Sequence, residues 1–130
     1  MLDKPVVLLV EDEAVLVLGA EDSLLDEGFE VYSALNGTAA IAELDSEPEG
    51  FACLVTDIVL GGATDGWTVA RHARQKNPDI AVVYMTGQAA AQWPTEGVPD
   101  SVLLEKPFTA EHLAAVVADM MAPVRLARSS

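Results

Sequence analysis

At 130 residues and 51% hydrophobic content, the chain is long enough for one domain with its own core and too short for two. Seven Lys plus Arg against 21 Asp plus Glu give a formal net charge of −14, which repels a phosphate backbone and an anionic membrane surface and so excludes nucleic acid and membrane as direct partners. A single cysteine, Cys53, excludes an internal disulfide and a cysteine metal cage, and no segment approaches the ~18 apolar residues of a membrane span.

The opening Met-Leu-Asp-Lys-Pro leads into an apolar run too short for a signal peptide, so a cytosolic chain is expected. Val6 to Val10 is the first of five β-branched, apolar runs that read as strands. A helix over about Glu13 to Glu27 follows, stopped at Gly28, with Glu21, Asp22 and Asp26 left for solvent. Glu30 to Ala34 is the second strand, and a short helix over about Thr38 to Leu44 ends before Pro48. Phe51 to Thr56 is the third strand, with Cys53 inside it as a small buried residue. The third helix, Gly66 to Lys76, turns Val69, Ala70 and Ala73 inward and Arg71, Arg74 and Gln75 outward, and stops before Pro78. Ala81 to Thr86 is the fourth strand. Pro94, Gly97 and Pro99 then leave no room for a long helix in Gly87 to Asp100. Ser101 to Leu104 is the fifth strand. The last helix, Ala110 to Met121, is capped by Thr109 and carries Leu113, Val116, Val117 and Met120 on one face; Pro123 to Ser130 reads as a frayed tail with no output domain.

Strands alternating with helices imply a parallel, doubly wound α/β sheet of five strands with helices on both faces. Ligands of such sheets bind in the crevice outside the carboxyl ends of the strands. Glu11 and Asp12, Asp57, Thr86 and Lys106 each stand at or just past such an end, so the topology brings three carboxylates, a hydroxyl and an ammonium together. That set suits phosphoryl transfer. Each residue also has a plainer reading: Glu11, Asp12 and Glu13 as an acidic first helical turn, Asp57 as a turn residue before Gly61-Gly62, Thr86 as an ordinary strand end, Lys106 as a solvated charge. His72 and His112 have no partner at metal-ligand spacing and read as surface or half-buried side chains, and Trp67 and Trp93 as packing residues.

Val-Glu-Asp-Glu (10–13), Thr-Asp-Ile (56–58), Met-Thr-Gly (85–87) and Glu-Lys-Pro-Phe (105–108), in this order, resemble a response-regulator receiver domain over about residues 5–122. The resemblance implies a flavodoxin-like strand order 2-1-3-4-5 with a short or disordered fourth helix. It implies Asp57 as phosphoacceptor, Glu11, Asp12, Asp57 and the backbone carbonyl of Val59 as ligands of Mg²⁺, Lys106 as the charge opposite the metal, and Thr86 as the switch hydroxyl. The chain would then be a stand-alone receiver, residues 1–122, catalysing only its own phosphorylation and dephosphorylation. Its partners would be a sensor histidine kinase or phosphotransfer protein and an unidentified downstream protein. Ala14, Val15, Leu18, Pro107 and Phe108 would meet the kinase, unless they are core residues. A cis Lys106–Pro107 bond is the usual form of such domains.

Two departures matter. Leu60 is followed by Gly61-Gly62-Ala63-Thr64-Asp65-Gly66, one residue longer than common receivers, which carry proline four residues after the acceptor, and this loop is expected to be mobile. Leu103 replaces the aromatic residue usual three positions before the lysine, so output must use another route. In this, and in Tyr84-Met85-Thr86-Gly87 and Lys106-Pro107-Phe108-Thr109, the chain is similar to the stand-alone FAT GUY subgroup. Ordering of Gly87 to Asp100 on phosphorylation is the expected switch. The competing functions are a Mg²⁺-dependent aspartyl-phosphate phosphohydrolase, disfavoured because Val59 stands where a second Asp would act as general acid, and a phosphorylation-independent adaptor.

Overall fold

The computed structural model describes residues 4–129, with side chains up to Ala122. The β-branched runs form strands β1 (Val6–Val10), β2 (Glu30–Ala34), β3 (Cys53–Asp57), β4 (Ala81–Thr86) and β5 (Val102–Glu105). They make one parallel sheet in the order β2-β1-β3-β4-β5, as the resemblance implied. The connecting helices are α1 (Ala14–Asp26), α2 (Gly37–Ser46), α3 (Gly66–Lys76), the single turn α4 (Trp93–Glu96) and α5 (Ala110–Ser129). No helix among the described residues is long and apolar enough to cross a membrane.

Because strand side chains alternate, each face of the sheet collects its own core. Leu8, Val10, Leu54, Val82 and Tyr84 pack under α2 and α3 with Ala40, Leu44, Trp67, Val69, Ala70 and Ala73. Val7, Leu9, Cys53, Val55, Val83 and Met85 pack under α1 and α5 with Val17, Ala20, Leu24, Leu113, Val117 and Met121. Strands buried on both faces read as continuous apolar runs rather than alternating ones, which is why β1, β3 and β4 are legible in the sequence. Burial pushes the Cys53 thiol up to about 12, so it is an inert packing group. Trp67 is buried against Tyr84, with ring centroids 4.8 Å apart, and Trp93 is partly buried on the same core.

Local signals fix the helix ends. Gly28 takes φ +93° after α1, and the Phe29 and Gly28 N–H groups donate to the Leu24 and Leu25 carbonyls, a Schellman closure. The side chains of Asn36 and Asp65 accept the Ala39 and Thr68 N–H groups and start α2 and α3. Thr109 caps α5 through the His112 N–H, as expected.

Two expectations need correction. Helix α5 does not stop at Met121; it runs to Ser129 with Pro123 inside it, since proline's fixed φ is itself compatible with a helical backbone. Met1–Asp3 and Ser130 lie outside the described residues. Of the alternatives short and disordered for the fourth helix, the structure gives short: a 3₁₀ turn (Ala90–Gln92) leads into α4, and the Gly87–Asp100 segment is bonded along its length. The buried Tyr84 hydroxyl accepts the Val98 N–H at 3.1 Å, Ser101 links the Trp93 indole to the Val98 carbonyl, and Arg74 donates to the Ile80 and Pro99 carbonyls at 2.7 and 2.6 Å. Arg74 therefore clamps this segment instead of pointing only to solvent.

Candidate functional site

The strand register aligns the carboxyl ends of β1, β3, β4 and β5: Val10 pairs with Thr56, Asp57 with Met85, and Thr86 with Glu105. Immediately past β1, the Glu11 N–H donates to the Ala34 carbonyl, which turns the Glu11 side chain inward and leaves it fully buried while Asp12 stays exposed. Helix α1 begins only at Ala14, so neither residue is part of an acidic first turn. Asp57 is the last residue of β3 and 6% exposed. One oxygen from each of Glu11, Asp12 and Asp57 lies within 4.8 Å of the others.

Past β5, the Lys106 N–H donates to the Thr86 carbonyl at 2.7 Å and extends the ladder by one residue. The ammonium then reaches Asp57 Oδ2 at 2.9 Å and Glu11 Oε1 at 3.1 Å. This is a part-buried ion triad, not a solvated charge. Burial works against the Lys106 charge, but the bonds and charges of Asp57 and Glu11 outweigh it and raise its pKa above the ordinary lysine value. The Lys106–Pro107 peptide is cis.

The charges do not balance. Burial chiefly, with the neighbouring Asp57 charge, pushes Glu11 up to about 7 despite the Glu13 N–H donated to its Oε2. Three ionised carboxylates this close repel by about 3 to 4 kcal/mol per pair at an effective dielectric near 20, and one ammonium leaves two of the three negative charges unmatched. An all-oxygen, carboxylate-rich donor set with surplus negative charge fits a hard divalent cation such as Mg²⁺.

The Thr86 side chain is buried, and its Oγ1 accepts the Gln88 and Ala89 N–H groups at 3.1 and 2.7 Å. Both lone pairs are thus engaged by its own loop, and the remaining capacity of the hydroxyl is as a donor. Val59 is half exposed. His72 pairs with Asp45 at 2.7 Å, linking α3 to α2, and His112 is exposed at the start of α5, so neither lies at the acidic site.

Three contributors are not evident from the sequence. Gly66 opens α3 against the acceptor: its N–H donates to the Ile58 carbonyl at 2.8 Å, and a Cβ there would collide with the Asp57 carbonyl oxygen. A glycine directly after a capping aspartate is the available signal, since a helix start otherwise favours better helix formers. The Gly61 N–H donates to Asp12 Oδ2, and Tyr84 tethers Val98; these long-range partners carry no local signature. Val15 and Leu18 are 82% and 65% exposed, which removes them from the core.

Residues 7–118 match the family described as response regulator receiver domain. The chain is 34% identical over 117 residues to the response regulator receiver protein CpdR of Brucella abortus, covering 88% of this chain and 95% of that one. It is 32% identical over 117 residues to the sensor kinase CckA of the same organism, of which it spans only 12%. A crystal structure of a response regulator receiver protein from Sinorhizobium medicae superposes with a TM-score of 0.87 at 42% identity, covering 92% of this chain and 96% of that chain.

Proposed function

The chain belongs to the response-regulator receiver family, and on that premise we propose that it is a phosphoacceptor that takes a phosphoryl group from the phosphohistidine of a sensor kinase or phosphotransfer protein onto Asp57. The observation that carries this reading is the Lys106 ammonium bridging Asp57 and Glu11 at the carboxyl ends of β1 and β3. The reading places the protein in the cytoplasm, with the receiver signalling by protein contact or as a relay intermediate.

Lys106 holds Asp57 Oδ2, which leaves Oδ1 to attack phosphorus. The P–N bond of the donor breaks as the P–O bond forms, and the electron pair returns to the imidazole nitrogen, which takes a proton. Little covalent chemistry is asked of the protein beyond positioning and charge stabilisation in such a loose transition state. The Lys106 ammonium faces the oxygens on which charge accumulates, and its pKa above the ordinary lysine value keeps it cationic at neutral pH. Glu11, Asp12, Asp57 and the Val59 carbonyl would hold Mg²⁺, which when bound neutralises the surplus carboxylate charge and polarises the phosphoryl oxygens. The acyl phosphate is later cleaved by water at phosphorus, which restores the Asp57 carboxylate.

The Thr86 hydroxyl, with only its hydrogen left to give, is suited to donate to a phosphoryl oxygen. Moving it would disturb the Gln88 and Ala89 amides and so the 3₁₀ turn and α4, a route of output that needs no aromatic at Leu103. Since that segment is already folded, the change is a rearrangement rather than an ordering. Exposed Ala14, Val15 and Leu18 on α1, with Pro107, form the surface assigned to the phosphodonor, whereas Phe108 packs against the cluster under α1 and α5.

The test is the intact mass of the protein after acetyl phosphate with Mg²⁺, against EDTA and Asp57→Asn controls. A labile gain of one phosphoryl group, lost in both controls, is expected. A folded protein that gains nothing, or an Asp57→Asn protein that gains as much, would overturn the assignment.

A further inference from the structure

Two of the three carboxylates of the site share Lys106 as a partner, and the third does not. Glu11 is held by the Glu13 N–H and by Lys106, and Asp57 by Lys106. Asp12 is exposed, and its Oδ2 accepts the Gly61 N–H, 49 residues away, at 3.3 Å. The loop that supplies this amide is anchored on either side. The Ile58 N–H donates to the Met85 carbonyl at 3.0 Å, and Thr64 packs so closely on the start of α2 that a Cβ on Gly37 would lie 2.7 Å from it. Between these anchors only Gly62 adopts a left-handed φ, +99°, with nothing within 4 Å of where its Cβ would stand. The loop has room to move, yet Gly61 is bonded across to the residue that follows β1 and Glu11.

We propose that the Gly61 amide is a positioning group for the divalent cation, holding the Asp12 carboxylate toward Glu11 and Asp57. The inference rests on the cation-binding reading of these three carboxylates. A carboxylate oxygen has two lone pairs, so Oδ2 can accept this hydrogen and still coordinate an ion. Without the amide, Asp12 keeps only its contact with the Glu11 carboxyl, and more of its side-chain freedom must be lost when the ion arrives, which weakens binding. Hydrogen-bond partners of ligating side chains typically change metal affinity by about 10- to 100-fold, and the length and exposure of this bond place it at the lower end.

Two variants separate the amide from the side chain, and an Asp12→Ala background, in which Gly61→Pro should weaken binding no further, separates the lost amide from the stiffening that proline imposes on residues 60 and 61. A Cβ on Gly61 would stand 3.6 Å from Asp12 Oδ2, an ordinary contact, so Gly61→Ala keeps the N–H while Gly61→Pro deletes it. Mn²⁺ titration of the full chain, read by the electron paramagnetic resonance signal of the free ion, should show Gly61→Ala within about two-fold of the unmodified protein and Gly61→Pro about ten-fold weaker, with equal thermal unfolding in EDTA. Equal affinity of Gly61→Pro and the unmodified protein overturns the proposal, as does equal weakening in both variants, which would make loop shape the cause. An unmodified protein that binds no Mn²⁺ overturns the cation reading itself, and this inference with it. Should Gly61→Pro not fold, hydrogen exchange of the Gly61 amide decides. It should accelerate in Asp12→Ala relative to the unmodified protein without metal, and an unchanged rate refutes the bond.

Discussion

Glu11 makes the stability of the metal-free protein fall as pH rises, the reverse of what a surface carboxylate does. Its carboxyl is fully buried and pushed up to about 7 from the ordinary 4.5, so between these values the folded chain binds more protons than the unfolded one. Stability declines wherever that holds. A tenfold difference in proton affinity between the two states is worth about 1.4 kcal/mol, so between pH 5 and pH 8 this group alone removes on the order of 2 to 3 kcal/mol, a sizeable part of the ~5–15 kcal/mol of a small domain. The other shifted groups do not interfere in this window: Asp45 is lowered and changes only in acid, while Tyr32, Tyr84 and Lys106 are raised and change only in base. Urea unfolding in EDTA, followed by fluorescence of the buried Trp67, measures the slope directly. Glu11→Gln should lose the decline, and saturating Mg²⁺ should offset it at pH 8. A stability that is flat or rising from pH 5 to pH 8 in EDTA, or an equal decline in Glu11→Gln, would refute the argument.

Gly66→Ala should destabilise by about 2 to 3 kcal/mol in thermal unfolding and slow acetyl-phosphate labelling, since its methyl displaces the Asp57 backbone; a folded variant labelled at the normal rate would contradict this. Lys106→Met leaves Asp57 and Glu11 facing each other without a counter-charge, so at pH 8 in EDTA it should cost about 2 kcal/mol or more and lose most phosphorylation, measured by denaturation and intact mass. Tyr84→Phe removes the acceptor of the buried Val98 N–H and should cost about 1 to 2 kcal/mol, with hydrogen exchange quickened at Val98 and little changed in α1.

The strands and their carboxyl-end residues are legible because a buried parallel strand is an unbroken apolar run, and a polar residue just past it has few places to be except the crevice. Gly28 and Thr109 mark helix ends for equally local reasons. Leu18 cannot be assigned from spacing alone, because α1 carries apolar residues on its exposed side as well as its buried one; only packing against α5 decides which leucine is covered. Arg74 escapes sequence reading for a related reason: helical periodicity places a long side chain on the outer face but says nothing of loop carbonyls that return to meet it. The partners of Thr86, the Gly61 tether and the Tyr84 latch all depend on where a non-repeating segment comes to rest. Pro123 misleads because the same ring that signals a break also brings a helix-compatible φ.

The sheet partitions the interior into two compartments, one under α2 and α3 and one under α1 and α5, each closed by its own apolar cluster. Successive residues of β4 alternate between them: Tyr84 belongs to one compartment and Met85 to the other. Repacking beneath α3 and α4 thus meets a different set of side chains from repacking beneath α1 and α5.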